Sequence, residues 1–107
     1  MAYPDDHVAL ATMFGSSATY TSSTGILSID VSELPDVDTI STISDTGIVL
    51  ALVRAIKNNQ GSDTERKIEV GDTSSALTNR GSISSLRERY QIDFYHSFSS
   101  THDPDSI

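Results

Sequence analysis

Asp45-Thr46-Gly47-Ile48-Val49-Leu50-Ala51-Leu52-Val53-Arg54-Ala55-Ile56-Lys57 reads as an amphipathic helix, and the rest of the chain arranges itself around it. Ile48, Val49, Leu52, Val53, Ala55 and Ile56 fall on one broad face at helical spacing, with Arg54 and Lys57 on the other. The Asp45 carboxylate is placed to accept from the amides of Gly47 or Ile48, as an N-cap does. Both cations sit toward the C-terminal end, where the helix dipole favours them. Gly61 follows as a residue that adopts left-handed backbone without steric cost. The pattern predicts a helix over 46–59.

Upstream, Ile26-Leu27-Ser28-Ile29-Asp30-Val31 alternates with Leu27, Ile29 and Val31 on one face, the signature of a strand. Pro35, which donates nothing to a ladder, closes it. Residues 36–44 read as a loop into which Ile40 and Ile43 tuck. Residues 1–24 form an N-terminal arm in this reading. Val8, Leu10, Thr12 and Phe14 alternate as a short strand before Gly15-Ser16-Ser17 ends it, and the Thr-rich segment from Thr19 to Gly25 continues as extended chain. Such an arm either adds to a sheet edge or partner or is a frayed terminus. Met13, Phe14 and Tyr20 are costly to leave in water, which sets the first reading level with the second.

Downstream, residues 67–77 open with the Ile68/Val70 alternation of a strand, and Thr78-Asn79-Arg80-Gly81-Ser82 is turn chemistry. Residues 86–98 form the longest candidate strand. Leu86, Tyr90, Ile92, Phe94 and Phe98 face one way, with Arg87, Arg89, Gln91, Asp93 and Tyr95 on the other. Residues 99–107 are a polar tail. The order strand, helix, strand, strand predicts an α+β fold. It consists of a small, mostly antiparallel sheet with one helix packed across it, a domain over 25–98 between arm and tail.

Charge is unevenly spread. Residues 1–50 hold seven acids and no base, whereas residues 51–107 hold eight acids and all seven bases. A polarised chain of this kind suits docking on a charged partner or on copies of itself. The net charge of −8 argues against nucleic acid as a ligand, because phosphate binding rests on Lys and Arg. The most apolar run, Gly47 to Val53, is far short of the roughly 20 residues a bilayer demands, and the N-terminal residues lack the basic start of a secretory signal. Cysteine is absent, which excludes disulfides, thiolate catalysis and Cys-ligated zinc.

Chemistry-bearing motifs are equally sparse. No Gly-x-Ser-x-Gly elbow, Gly-x-Gly-x-x-Gly or Gly-x₄-Gly-Lys-Ser/Thr loop occurs. His7, His96 and His102 lie near the termini, where a base is hard to orient. His96, His102, Asp103 and Asp105 offer metal-binding side chains at loose spacing, which a solvated tail explains better. Asp5-Asp6 and Asp36-x-Asp38 lack the further ligands of a calcium loop. Neither an enzyme nor a bound metal or cofactor is predicted. The candidate residues are instead partner-binding: Val8, Leu10, Phe14 and Tyr20 on the arm, and Arg87, Arg89 and Tyr95 on the last strand. A basic-aromatic strand face meets an acidic partner, although a wetted sheet face carries the same residues.

The strand ending Ser32-Glu33-Leu34-Pro35, the capped helix from Asp45 to Arg54 and the closing strand Tyr90-Gln91-Ile92-Asp93-Phe94 give residues 26–98 a recognisable texture. In it the chain resembles small uncharacterised proteins encoded by tailed phages of cyanobacteria and their prophages. The resemblance implies a non-enzymatic accessory virion protein that decorates or cements a capsid. It also implies the major capsid protein or another virion protein as partner, a dimeric or trimeric seat on the particle, and no contact with nucleic acid or membrane. The competing expectation is a small acidic inhibitor or adaptor that binds a host protein by imitating nucleic acid.

Overall fold

A computed structural model describes residues 8–71, 74–96 and 104–106. The fold is α+β, with two α-helices and antiparallel two-stranded sheets among the described residues. The central helix, α2, runs Asp45–Asn59, close to the predicted span. Its cap is Ser44 rather than Asp45: the Ser44 hydroxyl accepts from the Gly47 amide at 3.0 Å. Asp45 instead opens the first turn, where its charge meets the dipole. The helix ends at Gln60, and Gly61 takes φ +83°, the left-handed residue expected there.

The buried stripe of α2 is narrower than its apolar composition. Ala51 and Ala55, one turn apart, are buried with Leu34, and Phe14, Ile29, Val31, Val37 and Leu52 pack around them. Two alanines let neighbouring elements approach the helix axis closely. Val49, assigned to the buried face from its spacing, points outward and is 58% exposed.

Residues 8–24 do not form an extended arm. Leu10–Phe14 is a short helix, α1, in place of the expected strand. The Ala9 carbonyl starts it by accepting from Met13 at 3.0 Å, and it packs on α2. Leu, Ala and Met favour helix over strand, and burial of Phe14 against α2 overrides the two-residue alternation. The Asn59 side-chain amide donates to the Met13 carbonyl at 3.1 Å, satisfying the end of α1 from the end of α2. Next, Thr19–Thr21 (β1) pairs antiparallel with Ile26–Ser28 (β2) in a hairpin that crosses the expected arm boundary. The strand predicted over 26–31 therefore ends early. Asp30 turns the chain by accepting from the Ser32 amide and hydroxyl, and Val31–Glu33 forms one turn of 3₁₀-helix. Glu33 in turn accepts from Ser16 and from both the amide and hydroxyl of Ser17. A side chain at Gly15 would strike Glu33, its Cβ lying 2.5 Å from Oε2.

After α2 the chain builds one long hairpin in two parts. Ile68–Val70 (β3) pairs with Ile92–Phe94 (β6), and Ser74–Arg80 (β4) pairs with Ile83–Arg89 (β5). The single long strand predicted over 86–98 is thus two strands, and the expected single sheet is three two-stranded ones. The break has a register cause. Three residues separate Val70 from Ser74, whereas only two separate Arg89 from Ile92, so one extra residue sits on the first side. Gly71 and Gln91 bond across this point at 2.7 Å. The turn at the tip is tighter than the predicted 78–82: Arg80 pairs with Ile83 across Gly81-Ser82 alone. Gly81 takes φ +64° while Ser82 stays negative, the sign pattern of a type II′ turn. Phe98, the tail residues His102 and Asp103, and the arm residues Asp5, Asp6 and His7 lie outside the described residues.

Candidate functional site

Arg54 is the joint between α2 and the hairpin. Because Ala51 and Ala55 face the core, Arg54 leaves the helix toward β5, where its guanidinium grips Glu88 with two parallel bonds, Nε to Oε2 at 3.0 Å and Nη2 to Oε1 at 2.7 Å. The remaining arm of the fork, Nη1, donates to Asp36 at 3.0 Å. Asp36 holds a left-handed backbone (φ +62°), a conformation that aspartate tolerates better than most side chains. Tyr90 donates its hydroxyl to the same Glu88 carboxylate.

The electrostatic consequences follow from this geometry. Hydrogen bonds from Arg54, and then from Tyr90, hold the Glu88 carboxyl down at about 2. The same carboxylate raises the Tyr90 hydroxyl and the Arg54 guanidinium above their ordinary values. A cleft of about 310 Å³ opens beside the joint, lined by Asp36, Arg54, Lys57, Asn58, Ser75, Glu88 and Tyr90. Its lining is polar and its carboxylates are engaged. Glu88 stays ionised at neutral pH and so has no proton to give, and the guanidinium is spent on its two carboxylates. These bonds clamp the hairpin to α2 and to the loop at Asp36. Among the described residues no group of three or more His, Asp or Glu side chains gathers as a metal site would, and no helix is long and apolar enough to cross a membrane.

Beyond the clamp, β4 and β5 pack almost wholly on each other. Pairing sorts their side chains onto two unlike faces. One face carries Leu77 directly opposite Leu86, both far into solvent at 85% and 69% exposure. The other carries Arg80, Arg87 and Arg89 with no acid among them. Arg87 and Arg89 thus share a face, as their spacing implied, and Arg80 joins them. Leu86, grouped from sequence with the apolar side of the last strand, is exposed, and among the described residues no other element packs over the hairpin there.

The other candidates fall elsewhere. Tyr95 lies past the register slip, six residues beyond Arg89, half-buried beside Lys67, whose carbonyl accepts from its amide at 2.8 Å. Phe14 packs against the core, so it is a structural side chain. Val8 is half-buried near Gly61, and Leu10 is at the margin of exposure on α1. Tyr20, on β1 opposite Leu27, is exposed. Sequence reasoning missed Arg80, Leu77 and the Arg54–Glu88 clamp. Centring the turn on Gly81-Ser82 would have placed Arg80 opposite Ile83 and so on the parity of Arg87 and Arg89. No protein-family model, curated protein or solved structure matches the chain.

Proposed function

We propose that this chain is a non-enzymatic virion protein that decorates or cements the capsid of a tailed phage. In this role it seats on the major capsid protein or another virion protein through the arginine face of its hairpin. One observation carries the reading: Arg80, Arg87 and Arg89 line one side of an element standing clear of the body, in a chain of net charge −8. Such segregation suits an acidic partner surface and costs the fold nothing, since no core depends on that face. The resemblance over residues 26–98 supplies the shell as the partner. Cement proteins gain their hold by many modest contacts repeated over a lattice, so a narrow seat suffices.

Nucleic-acid imitation fits less well. Of the acids in the first half, Asp36 spends its charge on Arg54, and Asp30 and Glu33 are held at the surface by Ser32 and by Ser16 and Ser17, so they are fixed by the fold's own bonds. The test is co-sedimentation of the purified chain with particles of the phage that encodes it. Wild type is expected to pellet with the particles, whereas Arg87→Glu with Arg89→Glu stays in the supernatant at an unchanged melting temperature. Equal pelleting of both, or of neither, overturns the proposal.

A further inference from the structure

We infer that the outer edge of β5 takes an extended acidic segment of the partner as a third strand, its carboxylates two residues apart and set against Arg87 and Arg89. The inference rests on the virion reading above for its setting, and names the shape and spacing of the acidic surface that the arginines meet. Among the described residues β5 pairs with β4 alone, so its other side keeps unpaired backbone groups. Which groups these are follows from the turn. Gly81-Ser82 is a two-residue loop, so the pair that closes it, Arg80 and Ile83, exchanges both backbone bonds. Counting along the ladder by twos, Ser85 and Arg87 turn their amides and carbonyls toward β4, and Ser84 and Leu86 turn theirs outward. The Ser84 hydroxyl donates to the Asn79 side chain at 3.1 Å, as befits a pair without backbone bonds of its own, whose side chains approach more closely.

A strand laid antiparallel on that edge bonds to Ser84 and Leu86. Its residues opposite Arg87 and Arg89 then fall in the closer, non-bonded pairs. The two arginines share a face about 7 Å apart, the spacing of side chains at i and i+2 of an extended segment. Acids at those two positions neutralise both at once. β4 offers no equivalent edge, since Ala76 and Ser74, opposite Arg87 and Arg89, carry no charge. The seat is also open. Ile83, Ser84, Leu86 and Arg87 are all exposed, and the clamp from α2 meets β5 at Glu88, near its base and on the face away from the arginines. Charge selects the occupant. A further copy of β5 brings more arginine to the edge, the usual guard against self-pairing, whereas an acidic strand relieves the repulsion. Main-chain bonds supply the hold and the alternate side chains the specificity, so the contact does not depend on a large buried area. It is short, and repetition over a shell multiplies it.

The test uses the purified full-length chain, isotopically labelled for amide NMR, and two blocked peptides of identical composition. One alternates Asp with Val; the other carries its Asp residues in a single block. The alternating peptide is expected to shift the outward amides of Ser84 and Leu86 more than the inward amides of Ser85 and Arg87, and to bind about fivefold or more tightly than the block isomer. Arg87→Gln with Arg89→Gln should erase that preference. Equal binding of the two isomers, shifts that spare Ser84 and Leu86, or no shifts at millimolar peptide overturns the inference. Particles separate it from the virion role. Leu86→Pro deletes an outward amide that the hairpin itself does not use, a change that edge strands tolerate. Leu86→Thr deletes the same leucine and keeps the amide. The proline variant is expected to stay in the supernatant and the threonine variant to pellet, with matching circular dichroism melts; should the proline variant unfold, the peptide titration decides. If both pellet while Arg87→Glu with Arg89→Glu does not, the arginine face seats without an added strand and this inference alone falls. If the alternating peptide binds as expected and wild type ignores particles, the virion reading alone falls.

Discussion

Glu88 accepts from three donors, two on Arg54 and one on Tyr90, and its protonation would undo all of them. With a folded value of about 2 against 4.5 for the free side chain, it contributes stability that is complete above 4.5 and is lost as pH falls toward 2. Glu88→Gln is therefore expected to melt earlier than wild type at neutral pH, yet to lose less further stability between those two values. Calorimetry across that acid range checks it. Tyr90 has the opposite sign: its raised value keeps the hydroxyl protonated in the fold, so that contribution fades as pH climbs above 10.0. Tyr90→Phe removes one donor, and the Glu88 carboxyl should titrate higher by NMR. Gly15 is a second single-residue dependence. Its φ of +113° and its contact with Glu33 leave no room for a side chain, so Gly15→Ala should cost about 1–3 kcal/mol in urea unfolding.

At the level of elements, the cap of α2 separates two adjacent residues. Ser44→Ala is expected to cost about 1 kcal/mol in chemical denaturation, and Asp45→Ala less, because only Ser44 accepts the amide of Gly47. The sequence places the cap at Asp45; both residues are strong caps, and a one-residue shift of the boundary gives the role to Ser44. The body of α2 was legible because fifteen residues of period near 3.6 leave little room for another reading. Five-residue α1 was not: Val8 to Phe14 satisfies alternation as well as helix, and contact with α2 settles it. The division of the last strand was also hidden, since a one-residue surplus at 71–73 is a property of pairing and leaves no mark on composition. For the same reason the candidate surface was half visible. Arg87 and Arg89 are neighbours by alternation alone, whereas Arg54 and Glu88 meet across 34 positions that only the fold brings together.

For the molecule as a whole, the body and the hairpin should respond differently to excision. Removing residues 1–24 takes Phe14 and the buried Ala18 from the body, so the truncated chain is expected to lose cooperative thermal unfolding. Replacing residues 76–87 with Asn-Gly, which keeps Ser75 opposite Glu88 and the clamp to Arg54, should leave a cooperative transition. Circular dichroism melts distinguish the two. The protein is also longer than its size requires: its radius of gyration is 16.3 Å, against about 13 Å for a compact chain of this length. Much of that reach is the β4–β5 hairpin, roughly 24 Å long and tied to α2 by one guanidinium. It works as a lever with a short inner limb and a long outer one. A slight change in the angle at that tether would sweep Gly81 through a much wider arc than Glu88, because the outer limb is the longer one.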